Sequence, residues 1–78
     1  MLTPAQSRMG RAAVRWTVKD LAEKAQVGVT TINRFETGLA LSNPATLAAM
    51  QRAMETAGVV FIPKNGGGPG VRLKGDDA

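Results

Sequence analysis

The chain has 78 residues, ten of them Lys or Arg and six Asp or Glu, which gives a formal net charge of +4 and fits one small domain with a modest core. It contains no cysteine and no histidine, so disulfides, zinc sites built on thiolate or imidazole, and catalytic triads with a histidine base are excluded. The carboxylates show no acid–base or metal-binding spacing, and no segment has the ~20 apolar residues of a membrane span or the layout of a signal peptide, so we expect a cytoplasmic protein that is not an enzyme and holds no metal or cofactor.

The first predicted helix covers residues 4–14. Thr3 is a suitable N-cap, Pro4 suits the first helical position, and Gln6 stands where a capping box requires it.

The second predicted helix begins after Thr17 and ends near Gln26. Thr17 and Asp20 have the spacing of a capping box, and Trp16 and Leu21 occupy the two positions of a hydrophobic staple. We therefore interpret Trp16 as a structural residue rather than a platform for a ligand.

A third helix is predicted at residues 29–37, after Gly28 as a weak N-cap and before Gly38 as its terminating residue. The spacing of Ile32 and Phe35 places both side chains on one inward face.

The fourth predicted helix has Asn43 as its cap, Pro44 at its first position and Gly58 at its end. Its apolar residues at helical spacing are assigned to the core: Leu47, Met50 and Met54.

After Gly58 the pattern changes. Residues 59–62 are β-branched or aromatic, residues 71–73 alternate, and a glycine-rich turn lies between them, which predicts a β-hairpin.

The second and third predicted helices are separated by only a few residues, which is typical of a helix-turn-helix. Ala22 supplies the small residue where such helices cross, and Ile32 supplies the apolar residue of the second one. Over the first two-thirds of the chain, seven basic residues oppose three acidic ones, which favours a polyanionic partner, although solvated helix faces give the same pattern.

The segment LAEKAQVGVTTINRFETG at residues 21–38 resembles the Cro/cI-type helix-turn-helix, also called the xenobiotic-response-element family. The ending FIPKNGGGPGVRL is similar to that of many short bacterial members. The resemblance implies a mainly α fold, a lambda-repressor-like bundle of four to five helices with a short C-terminal hairpin, and binding to double-stranded DNA as a dimer on a palindromic operator. We expect a bundle at residues 1–58, a hairpin of the same domain at 59–74, and a disordered tail at 75–78.

The resemblance also implies which residues contact DNA. The base-reading positions are Val29, Thr30, Asn33 and Arg34. The positions near phosphates are Thr17, Val18, Lys19 and Thr31. Arg34 suits guanine and Asn33 suits adenine, while pairing of Arg34 with Glu36 or Asp20, or binding of Arg34 to a phosphate, is the alternative. Glu36 is expected to hold the scaffold together rather than to read a base.

Three residues depart from the usual family pattern: Val18 replaces a phosphate-binding Gln, Gln26 replaces a turn Gly, and Gly28 replaces a Ser. A left-handed non-glycine residue costs roughly 1 kcal/mol, so the turn at Gln26 is expected to be strained.

Both faces of the first predicted strand are apolar, and an isolated two-stranded hairpin is only marginally stable in water. We therefore expect the helices to cover one face and a second subunit to cover the other or to pair along an edge. The residues assigned to this dimer interface are Val60, Phe61, Ile62, Val71 and Leu73.

Two functions remain open at this point. The first is a DNA-binding transcriptional regulator that acts as a repressor. The second is a protein-binding module on the same fold, such as an antiactivator or antitoxin that sequesters another regulatory protein, for which Val18, Val29 and the apolar hairpin are suitable surfaces.

Overall fold

Four helices precede a two-stranded antiparallel hairpin in the computed structural model, which describes residues 1–64 and 66–74. The elements are α1 (Pro4–Ala13), α2 (Val18–Ala25), α3 (Val29–Glu36), α4 (Pro44–Thr56), β1 (Val59–Ile62) and β2 (Gly70–Leu73). The predicted mainly α bundle with a C-terminal hairpin is therefore confirmed, with four helices. The predicted disordered tail at residues 75–78 lies outside the described residues.

Side-chain caps fix the beginnings of three helices as predicted. Thr3 Oγ1 accepts a hydrogen bond from Gln6 N at 3.1 Å, and Gln6 Oε1 accepts one from Thr3 N at 3.0 Å. Thr17 and Asp20 form the same reciprocal pair at the start of α2. The Asn43 side chain caps α4. These bonds satisfy N–H groups that a helix leaves without an internal partner.

The first three helices each end one residue earlier than the sequence suggested. Their last helical residues are followed by the C-caps Val14, Gln26 and Thr37. Gln26 leaves the helical path because it adopts a left-handed backbone with φ of 59°, as expected for this turn.

The core lies between the four helices and the inner face of the hairpin. Leu21, Ile32, Met50 and Met54 are fully buried, in agreement with the sequence, and Trp16 packs beside them. Helix α1 departs from the simple rule that apolar residues face inward. It buries Gln6, Ser7 and Gly10, while Met9 is 36% exposed.

The hairpin has one inner and one outer face, set by its register. Val59 pairs with Leu73 and Phe61 with Val71, so these four side chains share the inner face of the hairpin. Val59, Phe61 and Val71 pack against the helical core there. Val60 pairs with Arg72, and Ile62 with Gly70, on the outer face. Phe61 and Val71, which we assigned to a dimer interface, therefore contribute to the protein's own core. Apolar side chains left at the surface are half-buried Val60, Ile62 at 38% exposure, and Leu73 at 56% because it lies at the strand end.

Candidate nucleic-acid interface

Helices α2 and α3 are joined by a turn of three residues, 26–28. Val27 N donates to Ala22 O at 3.0 Å across the left-handed residue Gln26. Ala22 is 7% exposed and Ile32 is fully buried, so the small residue and the apolar residue pack where the sequence placed them. The two helices therefore form the nested pair that a helix-turn-helix requires.

The surface of α3 divides sharply into a buried and an exposed side. Its buried residues are Ile32, Phe35 and Glu36. Its exposed residues are Val29, Thr30, Thr31, Asn33 and Arg34. All four predicted base-reading residues thus lie together on the exposed side of the helix. We call this exposed side of α3 the reading face.

The start of α2 provides the second part of the candidate interface. Thr17 and Lys19 are exposed, whereas the Val18 side chain is half-buried against the core. Any phosphate contact at Val18 must therefore come from its backbone N–H. The capping pair already uses the N–H groups of Thr17 and Asp20, which leaves those of the two intervening residues as the donors for an anion.

Glu36, the only acidic residue of α3, is turned away from the reading face. It is 5% exposed, and Arg11 binds both of its carboxylate oxygens, with Nη2 to Oε1 at 2.7 Å and Nε to Oε2 at 2.9 Å. Ser7 Oγ donates to Oε2 at 2.5 Å. The expectation that Glu36 holds the scaffold is confirmed. Within residues 1–64 and 66–74 the ion pair is Arg11–Glu36, and Arg34 forms none.

The electrostatics of the interface follow from this burial. The hydrogen bond from Arg11 to Glu36 raises the pKa of the guanidinium above its usual value, against the opposing effect of its partial burial. The positive charge of Arg11 is therefore held beside Glu36. The exposed charge on the reading face is the positive charge of Arg34.

The roles of Ser7, Arg8 and Arg11 were not anticipated from the sequence. Arg8 Nη1 donates to the backbone oxygen of Glu36, so three residues on one side of α1 hold the end of α3. The sequence of α1 contains few large apolar residues, and this pattern could have indicated that its inward face is polar.

A tight pair of short helices, with the second presenting a polar, cationic side outward, defines a helix-turn-helix DNA-binding protein. The helix-turn-helix family model matches residues 8–58, and the chain belongs to this family, of the Cro/cI or xenobiotic-response-element type. No curated protein matches the chain. The family is a class of DNA-binding, non-enzymatic domains. The matched segment ends at Gly58, so the hairpin lies beyond it.

Two further features of the described residues concern a membrane span and a metal site. None of the helices there is both long and apolar enough to cross a membrane. The same residues include no group of three or more His, Cys, Asp or Glu side chains arranged to hold a metal ion.

Proposed function

We propose that this protein is a transcriptional regulator that binds a specific double-stranded DNA sequence as a homodimer and acts as a repressor. The observation that carries the proposal is the reading face: five neighbouring α3 residues are exposed, and the single acid of the helix is buried and neutralised by Arg11. Such a face suits the major groove, which admits an α-helix.

Each reading-face residue has a suitable chemical partner in the groove. The Arg34 guanidinium can donate two hydrogen bonds to guanine, and the Asn33 amide can bind adenine in a bidentate manner. Val29 and the methyl group of Thr30 can contact the methyl group of thymine. Val29 is 42% exposed, so it has apolar surface available for this contact.

Phosphate contacts on either side would fix the orientation of α3. We assign them to Thr17, Val18, Lys19 and Thr31. Lys19 supplies a point charge, the two threonines supply hydroxyl groups, and Val18 supplies its backbone N–H at the start of α2. Repression then requires only occupancy, because a protein bound across an operator excludes other proteins from the same groove.

We assign the dimer contact to the hairpin. Lys74 N donates to Gly58 O at 2.7 Å, so these two residues form a hydrogen-bonded pair of the antiparallel ladder. Hydrogen-bonded and non-hydrogen-bonded pairs alternate along such a ladder, which makes Phe61 and Val71 a non-hydrogen-bonded pair. The backbone N–H and C=O groups of Phe61 and Val71 therefore point away from the neighbouring strand, toward the two edges of the hairpin. A second copy can pair with such an edge. It would cover Ile62 or Leu73, which are exposed on opposite faces of the hairpin, depending on the strand that it meets.

The dimer assignment is tested by light scattering on an Ile62→Glu/Leu73→Glu double variant. It should be monomeric at concentrations where the unaltered chain is dimeric, because the new charges would be desolvated at the interface. Leu41→Glu is the matched control, since Leu41 is 96% exposed and lies outside the hairpin. A double variant that remains dimeric would place the interface elsewhere.

The DNA-binding assignment is tested by selecting bound duplexes from a random pool. We expect a two-fold-symmetric consensus with half-sites about one helical turn apart. An Asn33→Ala/Arg34→Ala variant should lose this consensus, while Arg52→Ala on α4 should keep it.

A second candidate function is sequestration of another protein, and specific exposed side chains favour it. Leu39 and Leu41, just beyond α3, are 74% and 96% exposed. A salt series separates the two functions, because a DNA reader loses affinity steeply as salt rises. Failure to bind any duplex even at low salt would favour sequestration.

A further inference from the structure

Arg11 connects the beginning of α2 to the end of α3, the two ends of the helix-turn-helix that lie away from its turn. The turn joins the end of α2 to the beginning of α3. The Arg11 side chain joins Trp16, which precedes the N-cap of α2, to Glu36, the last residue of α3. We infer that Arg11 is a positioning residue for DNA recognition, which sets the register between the phosphate-binding start of α2 and the reading face. This inference rests on the proposed function.

Three donor atoms of the Arg11 guanidinium are used at once. Nη1 donates to Trp16 O at 3.1 Å, Nε donates to Glu36 Oε2 at 2.9 Å, and Nη2 donates to Glu36 Oε1 at 2.7 Å. Trp16 immediately precedes Thr17, the N-cap of α2. The guanidinium is planar and rigid, so three simultaneous bonds define the relative placement of the two segments.

The preceding turn of α1 strengthens the hold on α3. Ser7 Oγ donates to the Glu36 carboxylate at 2.5 Å, and Arg8 donates to the Glu36 backbone oxygen. That oxygen belongs to the last turn of α3, where carbonyl groups lack helical partners. The side chain and the main chain of Glu36 are therefore both bound by α1.

The other connection between α2 and α3 is less rigidly defined. It consists of the turn, in which Gln26 adopts a left-handed backbone, and of packing between small and apolar residues such as Ala22 and Ile32. Apolar contacts are not directional, so they fix distance better than rotation. The Arg11 bonds are directional and act at the opposite end of the helix pair.

The consequence differs for the two kinds of DNA contact. Bidentate base contacts require alignment within a fraction of an ångström, whereas a lysine near a phosphate acts as a point charge and tolerates displacement. Loss of the Arg11 geometry should therefore weaken binding to the operator far more than binding to random DNA.

The test compares Arg11→Lys with Arg52→Lys, a matched change at an exposed residue of α4. Arg11→Lys keeps the charge beside Glu36 but cannot bind the carboxylate and the Trp16 carbonyl in the same planar geometry. The measured quantities are the Kd for the selected operator, the Kd for a random duplex, and the salt dependence of both. We expect about a tenfold loss for the operator, no more than a twofold change for the random duplex, and an unchanged salt dependence.

Glu36→Gln is the second variant, since it keeps the shape of the side chain and weakens the same bonds. If Arg11→Lys does not fold at the assay temperature, Glu36→Gln replaces it, and we again expect a larger loss of affinity for the operator than for the random duplex. Equal losses on both duplexes, or no loss on either, would overturn the positioning role. An unaltered chain that fails to distinguish operator from random DNA would instead refute the proposed function, and the inference with it.

Discussion

Gly10 of α1 lies directly against the thioether of Met54 in α4. A Cβ atom added at Gly10 would stand 2.7 Å from Met54 Sδ and 3.5 Å from Cζ of Phe61. Met54 is fully buried, so the contact lies where α1 crosses both α4 and the hairpin. A glycine inside a helix is about 1 kcal/mol less favourable than alanine, which indicates that close packing determines the residue here.

Gly10→Ala should therefore lower the free energy of unfolding by about 1 kcal/mol, because overpacking costs roughly 1–3 kcal/mol and outweighs the gain in helix propensity. Urea unfolding measures the change. Adding Met54→Leu removes the sulfur from the contact and should make the alanine less costly. Ala12→Gly, at an exposed site of the same helix, is the control for propensity alone. A Gly10→Ala chain more stable than the original would show that Met54 moves aside without cost.

The left-handed residue Gln26 provides a second stability prediction. Gln26 has φ of 59° and an exposed side chain, so Gln26→Gly should raise the unfolding free energy by about 1 kcal/mol, the approximate cost of this backbone for a non-glycine residue. Gly38 has φ of 79° with open space around it, so Gly38→Ala should lower stability by a similar amount. Thermal unfolding of both variants checks the pair, and changes of the same sign would contradict the backbone argument.

Much of the fold follows from local spacing in the sequence. The Thr17–Asp20 capping pair and the buried positions Ile32 and Met50 depend on residues three or four apart, and they were predicted correctly. The hydrogen bonds from α1 to the end of α3 were not predicted, because Arg11 and Glu36 are 25 positions apart and no local pattern relates them. Burial of polar side chains through hydrogen bonds likewise escapes a count of apolar residues.

The candidate interface shows the same division. Exposure of Asn33 and Arg34 follows from helical periodicity once Ile32 and Phe35 are placed inward. The absence of an exposed acid from the reading face depends instead on where Glu36 points, which only tertiary structure determines. Base contacts themselves stay a prediction.

Arg34 and Lys19 should affect DNA binding in distinguishable ways. Arg34→Ala should cost about 1–3 kcal/mol of specific binding and relax the preference at one base pair. Lys19→Ala should weaken binding to all duplexes alike and reduce the salt slope by about 1. Fluorescence anisotropy with matched and single-mismatch duplexes measures both effects. A uniform loss for Arg34→Ala would reassign Arg34 to a phosphate.

Gln6 connects α1 to the hairpin, and Gln6→Glu tests this connection without disturbing the cap. Gln6 Nε2 donates to Ile62 O at 3.1 Å and to Gly70 O at 3.2 Å, while its Oε1 accepts from Thr3 N. A glutamate keeps the acceptor for Thr3 but places a negative charge beside two carbonyl oxygens.

At neutral pH this change should lower stability by about 1–3 kcal/mol, the cost of leaving buried polar groups without partners. The ionised form is disfavoured in the folded state, so the pKa of the new carboxyl is raised there. The destabilisation is then complete above the folded-state pKa and declines as the pH falls through it, because a protonated carboxyl can again donate to one carbonyl. Hydrogen exchange at the hairpin amides, measured from pH 4 to 7, should show the hairpin opening before the helices. A stability loss independent of pH would contradict the proposed cause.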